Sequence, residues 1–265
     1  MRNSTLVLLL AGVVAAPLFR PAPAAAQREE RFSWHGRVAA GQAIEIRGIN
    51  GYVHATPSSS GEVEVSALKE GRRSNPADVK IQVVPHAGGV TICAVYPAPS
   101  GHAPNECRPG GGGRSETRDN DVKVDFDVKV PAGVRFLART VNGGISADDL
   151  GADVDAQTVN GTIRATANGL VRAHTVNGGI DVTMGRADWT GSLDFATVNG
   201  GVHVTLPGNA SADIDAQTVN GGLSTDFPLT VQGRFLKNRI HGTIGQGGRE
   251  LKLRTVNGSI ELRKR

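Results

Sequence analysis

Acidic residues are the side chains whose spacing in this sequence comes closest to that of a chemical site. They form two groups, which are Asp148, Asp149, Asp153 and Asp155, and Asp119, Asp121, Asp125 and Asp127. Convergent carboxylates would suit Ca²⁺, which prefers several oxygen ligands. However, strict alternation directs Asp125 and Asp127 outward on one face of a strand, and aspartate is an ordinary turn residue. We therefore expect solvated turns here, with no bound metal and no cofactor.

Other residue types give no catalytic pattern. His174 and His203 fall at outward positions of neighbouring repeats and could approach each other, but the sequence offers no third zinc ligand. A G-x-S-x-G nucleophile motif is missing from the sequence. The glycines at 110–113 are not followed by the G-K-[ST] of a phosphate-binding loop. The sequence therefore predicts a protein that is not an enzyme.

Residues 1–26 have the features of a secretory signal peptide. An early arginine precedes an apolar run over residues 6–16, and small residues lie just before Gln27. Export would place Cys93 and Cys107, the two cysteines, in an oxidising compartment, where a disulfide between them is the natural expectation. We expect the protein in the periplasm, on the cell surface or in the medium. No later stretch is long and apolar enough to span a membrane.

Composition narrows the class of protein and of partner. The 265 residues include 29 basic and 25 acidic side chains, a near balance that gives no argument for binding nucleic acid or an anionic membrane. There are 35 glycines, and aromatic residues are few. Such a composition favours many turns and thin, closely packed layers over a bulky core.

A repeated tetrapeptide, Thr-Val-Asn-Gly, organises the elements that carry these residues. A spacing of about 20 residues is typical of repeat architectures, although the longest interval here is 37 and contains a degenerate copy at 239–244. An imperfect relative lies at 48–55. The six complete copies supply the predicted structural corner residues, namely Asn142, Gly143, Asn160, Gly161, Asn177, Gly178, Asn199, Gly200, Asn220, Gly221, Asn257 and Gly258.

Each copy reads as strand, Asn-Gly, strand, because apolar residues recur at alternate positions on both sides of the corner. Two all-β architectures fit. In an antiparallel meander, Asn-Gly forms a two-residue type I′ hairpin turn. In a solenoid it is a corner between two strands of one coil. The invariant Thr and Val favour the solenoid, because stacked coils would form ladders with Val filling a corner and Asn amides bonding along the stack. We expect a right-handed coil.

The chain is expected to continue from one region into the next. Residues 27–130 form a strand-rich part that includes a Gly- and Pro-rich loop at 97–120, tied down by the disulfide, and residues 131–265 form the repeat solenoid. The charged residues 261–265 would protect one open end of the stack from edge pairing. The N-terminal strands, with the disulfide loop, would cover the other end.

The signal peptide, the strand-rich first part and the T-V-N-G-[GST]-[IVL] repeats together resemble the bacterial "putative adhesin" family of unknown function, of the DUF4097 type. The resemblance spans essentially the whole mature chain, and the repeat is its diagnostic part. It implies a pectin-lyase-like β-helix without catalytic residues, associated with the cell surface or envelope.

This resemblance favours an adhesin-like or scaffolding protein with an unknown envelope or extracellular partner, either a protein or a glycan. Two alternatives remain open. One is a β-helix protein that binds or cleaves polysaccharide, and the other is an accessory protein of the envelope stress response.

Overall fold

The computed structural model describes residues 28–111, 113–231 and 238–265, so the predicted signal peptide at 1–26 lies outside the described residues. The described part contains 21 strands in two sheets, one of ten strands and one of eleven. Helix is limited there to two short 3-10 turns, Pro76–Asp78 and Pro109–Gly111. The prediction of an all-β protein is confirmed.

The first seven strands come from the region before the complete repeats. They are β1 (Arg28–Gly36), β2 (Ala43–Arg47), β3 (Val53–Pro57), β4 (Val63–Gly71), β5 (Lys80–His86), β6 (Gly89–Val95) and β7 (Lys123–Val130). The remaining strands are β8 (Arg135–Arg139), β9 (Ile145–Leu150), β10 (Val154–Gln157), β11 (Ile163–Ala167), β12 (Val171–His174), β13 (Ile180–Met184), β14 (Ser192–Ala196), β15 (Val202–Leu206), β16 (Ala212–Gln217), β17 (Leu223–Thr225), β18 (Thr230–Val231), β19 (Arg239–Ile244), β20 (Glu250–Arg254) and β21 (Ile260–Lys264).

Each coil places one strand in each sheet, and equivalent strands of neighbouring coils pair in parallel. Val154 of β10 is in register with Phe136 of β8 and with Val171 of β12. In the other sheet, Ile163 of β11 is in register with Ile145 of β9 and with Ile180 of β13. A meander would instead pair β10 with β11. The repeat solenoid is therefore confirmed over the meander, while the right-handed coil stays a prediction.

Backbone angles at the corners give the same result. A type I′ turn needs positive φ at both central residues. In the described part of the chain, Asp119 and Asp149 are the non-glycine residues with positive φ, so none of the repeat asparagines has the required conformation. The Asn-Gly pairs are corners of coils rather than hairpin turns.

Stacking order differs from chain order at the C-terminal end. The coil formed by β20 and β21 lies between the coil of β14 and β15 and the coil of β16 and β17. Asn257 consequently bridges Asn199 on one side and Asn220 on the other. The expectation that residues 261–265 protect an open end is wrong, because most of this segment is β21, which is paired on both sides.

The segment 239–244, expected to be a degenerate repeat copy, is also not a corner. It forms β19, which runs antiparallel to β16 and extends the eleven-stranded sheet beyond the last coil. Its short partner β18 pairs antiparallel with it. The chain thus covers this edge of the stack with antiparallel strands before it returns to insert its final coil.

The N-terminal end shows a similar insertion. The first coil in sequence, β2 and β3, lies between the coil of β8 and β9 and an outer coil built from β6 and β7. Outside that outer coil lie the antiparallel strands β4 and β1 in one sheet and β5 in the other. Strands from 27–130 and from 131–265 therefore share both sheets.

The core is the thin layer between the two sheets. It is filled from alternate strand positions, as the period-2 pattern predicts. Burying each large aliphatic side chain stabilises the fold by about 1.5–3 kcal/mol. The residues six positions before each repeat asparagine are all buried, and they are Phe136, Val154, Val171, Leu193, Ile214 and Leu251.

Two side chains of the repeat bond from coil to coil at the corners. The threonines are buried, and each hydroxyl donates a hydrogen bond to a glycine carbonyl of the neighbouring coil. The bond from Thr158 Oγ1 to the Gly143 carbonyl, for example, is 2.8 Å long. The asparagines form a ladder in which each Nδ2 donates to the Oδ1 of the preceding asparagine in the stack. These asparagine bonds are 2.7–2.8 Å long and join Asn50, Asn142, Asn160, Asn177, Asn199, Asn257 and Asn220, in that order.

The glycine after each asparagine is required by the close approach of backbones. A methyl group on Gly178 would overlap the carbonyl oxygen of Gly161 in the neighbouring coil, and the other repeat corners have the same geometry. The adjacent Gly179 differs, since the nearest atom to its added methyl group would be the carbonyl oxygen of Gly201, at an ordinary contact distance of 3.6 Å.

The repeat valines, expected to fill a corner, are exposed, and that expectation is wrong. The preceding threonine takes the inward position, so alternation turns the valine outward. Together these side chains form an exposed line along the stack, here called the valine row. Their exposed fractions are 38–40% except for 55% at the last, and the row comprises Val141, Val159, Val176, Val198, Val256 and Val219.

Gly178 and Gly179 allow a direct test of the close stacking of coils at the corner. We expect Gly178→Ala to lower the free energy of unfolding by roughly 3 kcal/mol, because the coils must separate to admit the methyl group. Gly179→Ala, the matched control one residue away, should change it by less than about 0.5 kcal/mol. Urea unfolding followed by circular dichroism measures both. Equal stability of the two variants would contradict the stacked corner.

Candidate binding groove

A groove crosses three successive coils of the solenoid beside the valine row. One side is formed by the residues three positions before the asparagines, which point outward on the eleven-stranded sheet, and the other side by the valines. Part of the groove encloses about 260 Å³. This part is lined by Arg139, Thr140, Gln157, Thr158, Val159, His174, Thr175 and Val176.

The disulfide-tied loop closes one end of this groove. Cys93 on β6 is bonded to Cys107 in the loop, with a Cα–Cα distance of 5.7 Å. Asn105 then organises the loop: its Nδ2 donates to the carbonyl oxygen of Tyr96 at 2.9 Å, and its Oδ1 accepts from the backbone N–H of Glu116 at 2.9 Å. The loop therefore has a defined structure beside the corner.

The outer coil of β6 and β7 has no Asn-Gly corner, and Tyr96 takes over part of that role. Asn50, the first rung of the ladder, donates Nδ2 to the carbonyl oxygen of Val122 at 3.5 Å. The buried Tyr96 hydroxyl donates to the same oxygen at 2.9 Å. Burial raises the pKa of Tyr96 well above its usual range, so the hydroxyl stays a hydrogen-bond donor. The asparagine ladder thus ends on the loop-bearing coil.

Beneath the loop the groove deepens into a cavity of about 160 Å³, here called the arginine pocket. Arg47, Arg114 and Arg139 line it together with Glu106 and Ser115. It shares Arg139 and Thr140 with the open part of the groove, so the two adjoin at these residues. We call the two together the corner groove.

A buried carboxylate fastens the loop above this pocket. Glu45 is 3% exposed, and its Oε2 accepts from Thr91 Oγ1 at 2.9 Å and from the backbone N–H of Gly110 at 3.1 Å. Its Oε1 is buried without a hydrogen bond, 3.8 Å from Arg139 Nε. A buried carboxylate is costly unless its oxygens are bonded. The hydrogen bond from Gly110 therefore fixes the loop to Glu45, the carboxylate that lies beside Arg139.

The predicted acidic groups are divided among separate structural roles. Asp121 accepts from the backbone N–H groups of Ser74 and Arg73, and the Ser74 bond is the main reason that its pKa lies below the usual range. Asp125 accepts from the backbone N–H of Tyr52 at 2.8 Å. No group of three or more potential metal ligands is found among the described residues.

The second acidic group is dispersed as well. Asp153 accepts from the backbone N–H of Leu170 at 2.9 Å, and Asp155 from Gln157 Nε2 at 3.1 Å. Asp149, in β9, and Asp119 of the first group, in the loop before β7, are exposed residues with positive φ values of 52° and 53°. The remaining members of the two groups, Asp148 and Asp127, lie on either side of His54, at 3.0 and 3.4 Å.

His174 and His203, expected to approach each other, lie on different sheets. His174 is on β12 in the eleven-stranded sheet, and His203 is on β15 in the ten-stranded sheet. Both alternate with buried neighbours and so face outward from opposite sides. The two side chains do not approach each other, because His174 precedes the corner of its coil at Asn177 and His203 follows the corner of its own coil at Asn199, which puts them in different sheets.

The sequence reasoning missed Arg47 and Arg139. Both lie three residues before a corner asparagine, Asn50 and Asn142, so aligning the imperfect copy with the complete ones assigns them equivalent positions. Their adjacency also requires that β2 be inserted next to β8, and the residue pattern does not show this.

No described helix is long and apolar enough to cross a membrane.

Fold and site together define an all-β repeat solenoid with an open groove along its corners. Residues 114–263, more than half of the chain, match the family model described as Toastrack DUF4097. The chain belongs to this family.

Comparison with solved structures gives only remote likenesses. A "putative cell adhesion protein" from Clostridium sporogenes is 10% identical, with 90% of this chain and 100% of that chain covered and a TM-score of 0.45. A "putative adhesin" from Bacteroides fragilis is 12% identical, with 89% and 97% covered and a TM-score of 0.33. No curated protein matches this chain. At these values, neither structure carries an argument about what the chain does.

Removing the disulfide should loosen the loop and leave the coils stacked. Cys93 and Cys107 are 14 residues apart, and a loop of this length stabilises a fold by about 3 kcal/mol in the chain-entropy model. We expect the double variant Cys93→Ser, Cys107→Ser to lose about this much in urea unfolding. Adding reductant to the wild type should give the same loss and should leave the double variant unchanged. A wild type insensitive to reductant would contradict this role.

Proposed function

We propose that this protein is exported to the cell envelope and acts there, without catalysis, as an adhesin-like binding protein. The observation that supports this most directly is the corner groove, which crosses successive coils beside the exposed valine row. Solenoids of stacked repeats use extended surfaces of this kind to bind long partners. An apolar row of this length, rimmed by polar side chains, is typical of an interaction site.

Export is supported by two features of the chain. Its first 26 residues have the pattern of a signal peptide, and the Cys93–Cys107 bond is of a kind that persists in oxidising compartments. The resemblance to surface-associated proteins, which rests on the repeat, points in the same direction.

A binding role without catalysis is favoured by the contacts that the carboxylates near the pocket already make. General acid–base chemistry needs a titratable group within reach of the bound substrate. The buried carboxylate of Glu45 accepts hydrogen bonds from Thr91 and Gly110. Glu106, at the pocket's loop side, is paired with Arg108 at 3.0 Å. Glu45 thus holds the loop, and Glu106 lines the pocket as part of an ion pair within the loop.

Binding can be tested with the disulfide-bonded chain from residue 27 onward. The labelled protein should bind envelope fractions of its own cells, and Val159→Glu should weaken binding at least tenfold by placing a charge in the valine row. Arg164→Gln is the matched control, since it changes the charge by the same amount on β11 of the same coil, in the other sheet. It should bind as the wild type does.

Two results would overturn this proposal. One is a wild-type protein that does not bind the envelope, or that binds equally well with Glu at position 159. The other is cleavage of any member of a glycan panel that includes polyuronates, incubated with and without Ca²⁺, which would make the protein a polysaccharide-cleaving enzyme.

A further inference from the structure

We propose that the arginine pocket binds a carboxylate group of an acidic polysaccharide whose chain continues along the corner groove. This inference rests on the proposed binding function and names the chemistry of its partner.

Arg47 and Arg139 are direct neighbours of like charge. They are in register on the parallel strands β2 and β8, and both point outward from the same sheet. Like charges placed opposite each other in a sheet are destabilising. An anion seated between them would remove this repulsion, because a guanidinium presents a planar fork of donors that matches a carboxylate.

The donors of these arginines are largely unused. Among the described residues, the Arg139 guanidinium donates no hydrogen bond, and its buried Nε lies 3.8 Å from Glu45 Oε1. Arg47 donates one, from Nη1 to the carbonyl oxygen of Arg108 at 2.7 Å. That bond orients Arg47 against the loop and leaves its other donors available to a ligand.

The carboxylates around the pocket offset only part of its positive charge. Glu45 lies 3.8 Å from Arg139 Nε, while its other oxygen accepts from Thr91 and Gly110, and Glu106 is paired with Arg108. Glu116 lies 3.7 Å from Arg114 and 2.8 Å from His102. Of the residues that line the pocket, three are arginines and one is a glutamate, so the lining itself carries a net positive charge.

The continuation of the groove suits a sugar chain better than a peptide. An extended peptide binds a sheet through backbone groups at an open edge. Here the strands that form the floor, β8, β10 and β12, are paired on both sides, so their backbone groups are already used. Beyond Arg139 the outward side chains are Gln157 and His174, which both donate and accept and therefore match hydroxyl groups.

The proposal can be tested by calorimetry with a hexamer of galacturonic acid as the probe. The matched ligand is the same hexamer with every carboxyl group methyl-esterified, which keeps the chain and removes the charge. We expect the acidic hexamer to bind and the esterified one to bind at least tenfold more weakly. Arg139→Gln should lower affinity for the acidic hexamer at least tenfold, and Arg164→Gln should not.

Two further variants distinguish the loss of a ligand contact from a folding defect. Arg139→Lys keeps the charge and loses the planar fork, so its affinity should lie between that of the wild type and that of Arg139→Gln. Arg47→Gln should weaken binding by a similar factor to Arg139→Gln from the neighbouring strand. Thermal unfolding of each variant checks that the solenoid is intact.

Several outcomes would overturn the inference. They are equal affinity for the acidic and esterified hexamers, no effect of Gln at both 47 and 139, and equally tight binding of single-stranded DNA or of a glutamate oligomer with the same number of charges. If envelope binding depends on Val159 but not on Arg139, the proposed function stands and this inference falls.

Discussion

Close approach of successive coils at the corner is the constraint on which the rest of this structure depends. Parallel strands repeat at about 4.8 Å, and at each corner this spacing brings the glycine of one coil against the glycine carbonyl of the next. Only glycine fits there. The threonine then supplies the hydroxyl that bonds this carbonyl from inside, and the asparagine bonds its counterpart from outside. Three of the four residues of the repeat are thus explained by contacts between coils.

The fourth residue shows how the scaffold also creates a surface. Valine makes none of these hydrogen bonds, and its side chain lies outside the corner. Its β-branched shape suits an extended backbone, and its position between a buried threonine and a bonded asparagine fixes its direction. A row of identical apolar side chains therefore follows from the stack itself. The side chains three positions before the asparagines make none of these corner hydrogen bonds, and these are the positions that differ among copies.

Much of the fold could be predicted from the sequence because the corner chemistry is local. Strand positions, inward faces and parallel stacking all follow from residues within one copy and from the invariance of Thr-Val. The stacking order could not be predicted in this way. Every corner offers the same donors and acceptors, so Asn257 could stack as well on Asn220 alone as between Asn199 and Asn220. The choice depends on antiparallel strands such as β19, whose pattern resembles a repeat copy.

Because the regular corners are all alike, the candidate site lies where the repeat is interrupted. In the coil of β6 and β7, the corner is replaced by Tyr96, Val122 and a disulfide-tied loop, and the ladder of Asn50 ends on a carbonyl instead of another asparagine. A regular corner would leave only the shallow groove found beside Val159. Here the loop bonds the buried carboxylate of Glu45 and covers a cavity over two in-register arginines. A solenoid whose corners are all alike presents a uniform surface, and an irregular coil is what gives this one a distinct pocket.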